Sequence, residues 1–325
     1  MIKIYPLNIK SHLLIMKIKF LMPLLFLFAF AQVKAQYAEI RQAIQKQEFS
    51  DELINQLKTT KTVFFYSKQQ VSQLDSVKQA VSEGWTFTPL IFEDISKFDK
   101  YATDPAYSYF IIEGIKSTSS SQTGSYSNIH YYLNLRLFKE INKKGKVSST
   151  GFCRIELFPN AKTLFMGPDD GIGIIPTLYN KGTFLNWSPV LLKAKLAVVS
   201  TNLNNRLKPW HYEKVRNDNL SSLLSKDTLY VPKSLLMNFG GFTGKEKEQD
   251  ENVFASYKYK YKICSDAELF EIFETKKQGK LLFEYVKSST DKFITIYNVE
   301  KKEVIYRNYV PVSYNLKSKD IESIE

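Results

Sequence analysis

Internal repetition constrains this chain most, because a repeated succession of segments fixes how many cores it has to build. Ser50-Asp51-Glu52-Leu53-Ile54-Asn55-Gln56-Leu57 leads into Lys61-Thr62-Val63-Phe64-Phe65, and Asn217-Asp218-Asn219-Leu220-Ser221-Ser222-Leu223-Leu224 leads into Lys226-Asp227-Thr228-Leu229-Tyr230-Val231. Each reads as a short helical turn feeding a β-strand. A second strand follows, Trp85 to Phe92 in one half and Tyr257 to Cys264 in the other, and then an acidic helix start, Glu93-Asp94 to Phe98 and Ser265-Asp266 to Phe273. An Asp there satisfies free helix N–H groups. Hairpins come next: Tyr107 to Ile115 with Ile129 to Lys139, and Leu281 to Lys287 with Lys292 to Asn298. Phe87 to Tyr109 and Tyr261 to Phe283 are both 22 residues apart. A Lys-rich turn and a last strand close each half, Lys146 to Leu157 and Val304 to Pro311.

The expectation is an α+β protein of two tandem, similar β-α-β-α-β-β-β modules, each a small mixed sheet with helices on one face. Residues 36–158 form the first module, 159–188 a Gly/Pro-rich connector and 189–325 the second. An ancestral duplication explains the match; chance similarity among α+β segments is the alternative. Lys116 to Asn128, rich in Ser and Thr, reads as a mobile loop. The second half expands instead at Phe239-Gly240-Gly241-Phe242-Thr243-Gly244 and the charged stretch Lys245 to Glu251. Ser188-Pro189 starts a helix that runs to about Leu207, apolar on most faces and buried between the halves; Pro209 ends it. Tyr37 to Gln47 is read as a helix in the corresponding place before the first unit.

Residues 1–35 carry five lysines and no acidic residue, with an apolar run from Phe20 to Ala31 and small residues at Ala29, Ala31 and Ala35. These are the parts of a secretory signal, with cleavage after Ala35 or, as the rival, Ala31. The apolar run is shorter than the ~20 residues a membrane span needs. No cysteine lies near the exit, so the chain is expected in the periplasm or outside the cell and not as a lipoprotein. The leader takes five of the 45 Lys+Arg, set against 33 Asp+Glu. The remaining basic excess is mild and interleaved with acid, which argues against nucleic acid as the partner. Cys153 and Cys264 sit in strand-like runs, and both a bridge and buried free thiols fit them.

The run "YSYFIIEG", a long polar loop, then "YLNLRLFKEINKKGKV" resembles periplasmic α/β modules, those of curli-secretion channel proteins and of the N-terminal domains of Tol-system propeller proteins. Glu113-Gly114 matches the glycine-bearing turn of that pattern and Asn142 to Gly145 its closing hairpin. The counterpart "KLLFEYVKSSTDKFITIYNVEKKEVIY" lacks both glycines. The resemblance implies an envelope binding or scaffolding role and brings no catalytic motif.

Several local patterns carry chemistry on their face. Asp169-Asp170 in Pro168-Asp169-Asp170-Gly171 pairs two carboxylates, able to bind a cation or share a proton, although Asp-Asp-Gly is far more often a turn. Trp210, His211 and Tyr212 group stackable aromatics with one of three histidines; sealing a helix end against the core is the plainer reading. Tyr257-Lys258-Tyr259-Lys260-Tyr261-Lys262 alternates strictly, which in a strand puts three tyrosines on one face and Lys258, Lys260 and Lys262 on the other. That cationic face suits an acidic glycan or nucleic acid, or simply guards a sheet edge. His130, inside a strand pattern, reads as structural. Gly240 to Lys245 fails the phosphate-loop pattern, and no metal, nucleotide or hydrolase motif occurs. The expectation is therefore an exported protein that acts by binding an envelope protein or glycan, without catalysis, cofactor or metal. A secreted hydrolase of glycan or peptide is the alternative, with Asp169, Asp170 and His211 as its candidates.

Overall fold

A computed structural model describes residues 48–324 apart from 69–73, 122–123, 142, 144–146, 167–172, 174–175, 209–213, 241–244 and 312–314. Residues 48–325 form one compact unit. The chain enters through helix α1 (Asp51–Lys58). Ser50 accepts the Leu53 N–H at 3.3 Å, and Asp51 and Glu52 face the positive end of the helix. The first sheet takes β1 (Lys61–Tyr66), β2 (Leu90–Asp94), β3 (Tyr107–Ser121), β4 (Gly124–Ile141) and β5 (Val147–Glu156) in the order β2-β1-β3-β4-β5. β1 runs parallel to β2 and β3, whereas β3-β4 and β4-β5 are antiparallel. Helix α2 (Leu74–Gly84) joins β1 to β2, α3 (Phe98–Ala102) precedes β3, and a single turn, α4 (Ala161–Leu164), follows β5. Asp94 caps the 3-10 turn before α3 by accepting from Ser96 N–H at 3.0 Å, as the acidic start predicted.

The second sheet contains β6 (Val215–Arg216), β7 (Leu229–Pro232), β10 (Tyr261–Cys264), β11 (Leu281–Ser288), β12 (Asp291–Asn298) and β13 (Glu303–Val310). Its order is β10-β7-β11-β12-β13-β6. Strands β10-β7-β11-β12-β13 repeat both the order and the relative directions of β2-β1-β3-β4-β5; β6 adds an edge on β13. Helix α6 (Leu220–Lys226) precedes β7 as α1 precedes β1, and α7 (Asp266–Phe270) follows β10 behind a Ser265/Glu268 capping box.

Several expectations are corrected. Among the described residues no α-helix joins the first two strands of the second sheet; single 3-10 turns (Lys233–Leu235, Glu251–Phe254) and the hairpin β8 (Met237–Phe239) with β9 (Glu246–Glu248) lie between them. Pro232 and Gly240 break any helical run there, and the charged stretch lacks an apolar face. The strand expected from Tyr257 begins only at Tyr261, because its partner β7 starts at Leu229. The expected spacing fails as well. Thr62 pairs with Leu90 and Ser108, while Leu229 pairs with Tyr261 and Leu281, so the residues equivalent by pairing differ from those aligned by the 22-residue spacing.

Lys116 to Asn128 is no loop. β3 and β4 stay paired from Ser117↔Asn128 to Ser121↔Gly124, with Thr118 Oγ1 2.9 Å from Ser127 Oγ. Once apolar pairs such as Ile112↔Leu133 fix the register, backbone pairing continues through polar residues. Glu113-Gly114 likewise lies inside β3 and not at a turn. Beyond β1, the open edge of β3 is satisfied by the connector: Ile112 N–H donates to Tyr179 Oη at 2.8 Å, and Gly114 and Gly173 exchange backbone hydrogen bonds of 3.1 and 2.9 Å.

Helices on one face was also too simple. Val63, Phe64 and Phe65 in β1 are all fully buried, so both faces of the first sheet are covered. Phe65 packs against Phe98 (5.6 Å between rings) and Tyr101 of α3, while Phe64 on the other face meets Trp187 (6.1 Å) and Phe110. The main cover is helix α5 (Pro189–Asn204), started by Ser188, which accepts the Leu191 N–H at 3.4 Å, with Pro189 in its first turn. Val190, Leu191 and Ala194 join the core of the second sheet, and Leu192, Leu196, Val199 and Leu203 that of the first. α5 ends at Asn204, where Arg206 turns left-handed (φ 60°), and not at Pro209. Gly84 allows α2 to approach it: a Cβ there would lie 2.7 Å from the Lys193 carbonyl oxygen. Cys153 and Cys264 are free thiols, one in each core; burial pushes the Cys153 thiol up to about 12. Tyr37 to Gln47 and the leader lie outside the described residues. Among the described residues no helix is long and apolar enough to cross a membrane.

Candidate functional site

The connector and α5 bring ionisable groups from both sheets together where the halves meet. Alternation in β5 places Arg154 and Glu156 on one side of the strand. Arg307, inside the apolar run of β13, reaches Glu156 across the seam at 2.5 Å, with side-chain exposures of 11% and 8%. Lys195 stands on α5 among residues that are nearly all buried, and it forms an ion pair with Glu284 of β11; both side chains are 4% exposed. Glu284 also accepts from Tyr297 Oη at 2.7 Å and from Asn186 Nδ2 at 2.8 Å. Asn186 in turn donates to the Glu156 carbonyl at 3.0 Å and accepts the Phe158 N–H at 2.8 Å. The connector thus fastens the end of β5 to β11.

A cavity of about 400 Å³ opens on this cluster, lined by Arg154, Glu156, Lys195, Tyr297, Lys302 and Arg307 among others. That volume lies within the ~300–1,000 Å³ of small-molecule sites. Apolar wall comes from Val198, Val199 and Leu207, and neutral polar groups from Thr201, Asn202 and Asn205. Burial raises the Glu156 carboxyl above the usual carboxylate value, opposed by the Arg307 charge, with Glu284 adding to the rise. Burial works against the Arg307 charge too, but Glu156, Tyr297 and Glu284 hold that guanidinium above its ordinary value. Tyr297 is pushed well above the ordinary phenol value, first by burial and then by the Glu284 charge. At neutral pH the phenol is protonated and the arginine charged, the first held so by burial and the second by its acidic neighbours.

A second polar group also bridges the halves. His130 of β4 lies with Nδ1 3.3 Å from Ser288 Oγ at the end of β11, and Asp291 of β12 acts electrostatically on the same ring. Burial lowers the His130 pKa below 6.5, against the pull of Asp291. Serine, histidine and aspartate are the residues of a nucleophilic triad, but Ser288 is fully buried and His130 and Asp291 nearly so, which leaves no approach for a substrate. The set is a polar tie between β4 and the β11-β12 turn, in agreement with the structural reading of His130. Lys193, two residues before Lys195, adds another tie by pairing with Glu83 of α2 and, at 2.6 Å, with Glu274 of the second half.

Of the residues singled out from sequence, Asp169, Asp170, Trp210, His211 and Tyr212 lie outside the described residues. Lys258, Lys260 and Lys262 are exposed and line no part of the cavity; Lys262 pairs with Glu268 at 3.4 Å. Tyr257 and Tyr259 precede β10, so strand period does not set their faces, and Tyr259 and Tyr261 both pack against the Tyr257 ring. Tyr257 is buried and Tyr261 is 38% exposed, the rings lying 6.0 Å apart edge to face. Sequence reasoning missed Glu156, Lys195, Glu284, Tyr297 and Arg307. The clearest signal was a single charge inside an apolar run, Glu284 in Leu281-Leu282-Phe283-Glu284-Tyr285-Val286. Among the described residues no three His, Cys, Asp or Glu side chains converge to hold a metal ion. No protein-family model, curated protein or solved structure matches the chain.

Proposed function

We propose that this is an exported cell-envelope protein, descended from a duplicated α+β module, that acts by binding a small ligand in the cavity between its halves. The leader pattern of residues 1–35 supports export, and the matching strand order of the two sheets supports duplication. The likeness to periplasmic α/β modules in the sequence agrees with an envelope role. One observation carries the binding reading: the two buried carboxylates of the seam, Glu156 and Glu284, are each held by a cation, and the cavity opens beside them. Charges locked in pairs position a ligand and keep the cavity walls rigid; a general acid or base needs a group free to exchange its proton.

Hydrolysis is the second reading, favoured by the raised Glu156 carboxyl at the cavity wall. It is the weaker one, because Glu156 is held in a buried pair by Arg307 and is not free to pass a proton. The deciding experiment incubates the purified protein with small molecules and glycan fragments extracted from envelopes and reads bound species by native mass spectrometry. Val198→Trp, which fills the cavity, should abolish a specific bound mass. A bound mass that survives Val198→Trp, or turnover of an extract component lost in Glu156→Gln, would overturn the proposal.

A further inference from the structure

We infer that the seam cavity takes an oxyanion, a carboxylate or phosphate carried by a small molecule; this rests on the binding reading above. Among the described residues the lining holds four cations, Arg154, Lys195, Lys302 and Arg307, against two carboxylates, Glu156 and Glu303. Glu156 is already engaged by Arg307, so its charge does not repel an incoming anion at full strength. Arg154 and Lys302 are exposed side chains on elements of opposite halves, β5 and the β12-β13 turn, and they flank the entrance. Arg154 is backed by the Tyr132 ring, its guanidinium carbon 5.7 Å from the ring centre, which leaves its fork of N–H donors for a planar anion.

Deeper in, the Lys195 ammonium is 96% buried and makes ion-pair contact with Glu284, yet it has no directed hydrogen bond to protein among the described residues. An ammonium carries three N–H donors; one carboxylate oxygen meets at most one of them, and burying the others unmet is costly. An anion entering the cavity meets those donors, while Thr201, Asn202 and Asn205 offer neutral hydrogen bonds to the rest of the molecule. Cationic groups set in a cleft with low-dielectric walls concentrate the field on that path. The tyrosine-lysine strip near β10 offers no comparable enclosure, since its lysines are exposed and line no part of this cavity.

The test uses the purified protein and simple probes: sodium phosphate and sodium acetate against sodium chloride at matched ionic strength, read as a saturable rise in the unfolding midpoint and by calorimetric titration. Phosphate or acetate, but not chloride, should bind, and the stronger of the two names the ligand's anionic group. Arg154→Gln/Lys302→Gln removes two exposed charges, keeps the fold as checked by circular dichroism, and should weaken that binding about tenfold or more. Equal effects of all three salts, or wild-type affinity in the double variant, would overturn the anion site. If the extract-derived mass still binds and is still lost in Val198→Trp, the binding reading survives and only the ligand class falls.

Discussion

Lys195 and Lys260 are the same residue in two settings. Lys195 is 4% exposed on the helix shared by both cores and faces Glu284 of the second sheet. Lys260 is exposed beside β10, in the strip where Lys262 meets Glu268 at 3.4 Å with both side chains about half exposed. The strip is the more visible in sequence and the seam the more consequential in the fold. In water an ion pair contributes little, because solvent already satisfies each charge. In the seam neither charge can return to water without the halves parting, so removing one partner leaves the other stranded.

The largest effect expected is from Glu284→Ala, which strands Lys195 and also deprives Tyr297 and Asn186 of their acceptor. Urea unfolding should show a loss of about 3–5 kcal/mol, most of it regained in Lys195→Met/Glu284→Gln. A loss under about 1 kcal/mol would place the seam on the same footing as the surface strip.

Arg307→Met should cost ~3 kcal/mol at pH 7 and less at pH 5. Glu156 is raised in the folded state, so the folded protein takes up that proton before the unfolded chain does. Protonation then removes the stranded charge as pH falls. Equal losses at the two pH values would contradict this.

His130→Gln tests the other tie and should cost about 1 kcal/mol at pH 7, one buried hydrogen bond. Its folded pKa is depressed below 6.5, so the unfolded chain protonates first. The contribution of neutral His130 is complete above that value and declines as pH falls through it toward the folded value. The gap between wild type and variant should therefore narrow from pH 7 to pH 5, as chemical denaturation at the two values can show. At the small end, Lys258→Gln and Lys260→Gln should each shift stability by no more than about 0.5 kcal/mol. A larger loss would make the strip a structural contact.

Much of the fold was legible in local chemistry. Asp94 and Ser188 announce helical starts because a side-chain oxygen there meets free N–H groups, and both cap as expected. The hairpins β3-β4 and β11-β12 follow from apolar runs bounded by turn residues. Sequence failed where a partner was needed to end or extend a strand. Tyr257 to Lys260 alternates perfectly but has no strand beside it, whereas Ser117 to Ser121 lacks any apolar signal but has one. The 22-residue spacing misled for a related reason, since spacing along the chain does not fix which residues pair.

The candidate site was less legible than the fold. The residues chosen from sequence were clustered along the chain: paired aspartates, aromatics around a histidine, alternating lysines. Those of the cavity are scattered over β5, α5, β12, β13 and the turn between the last two, and nothing along the chain groups them.

The order of local elements, the helix starts and the strand-rich halves were set by side-chain period, capping and turn chemistry, all of which act within a few residues. Which charge meets which was decided only when the connector and α5 folded the two sheets onto one another. An isolated Lys or Glu in an apolar run requires a partner to be buried, but only the folded chain, which removes both from water together, determines that Lys195 finds Glu284 and Arg307 finds Glu156.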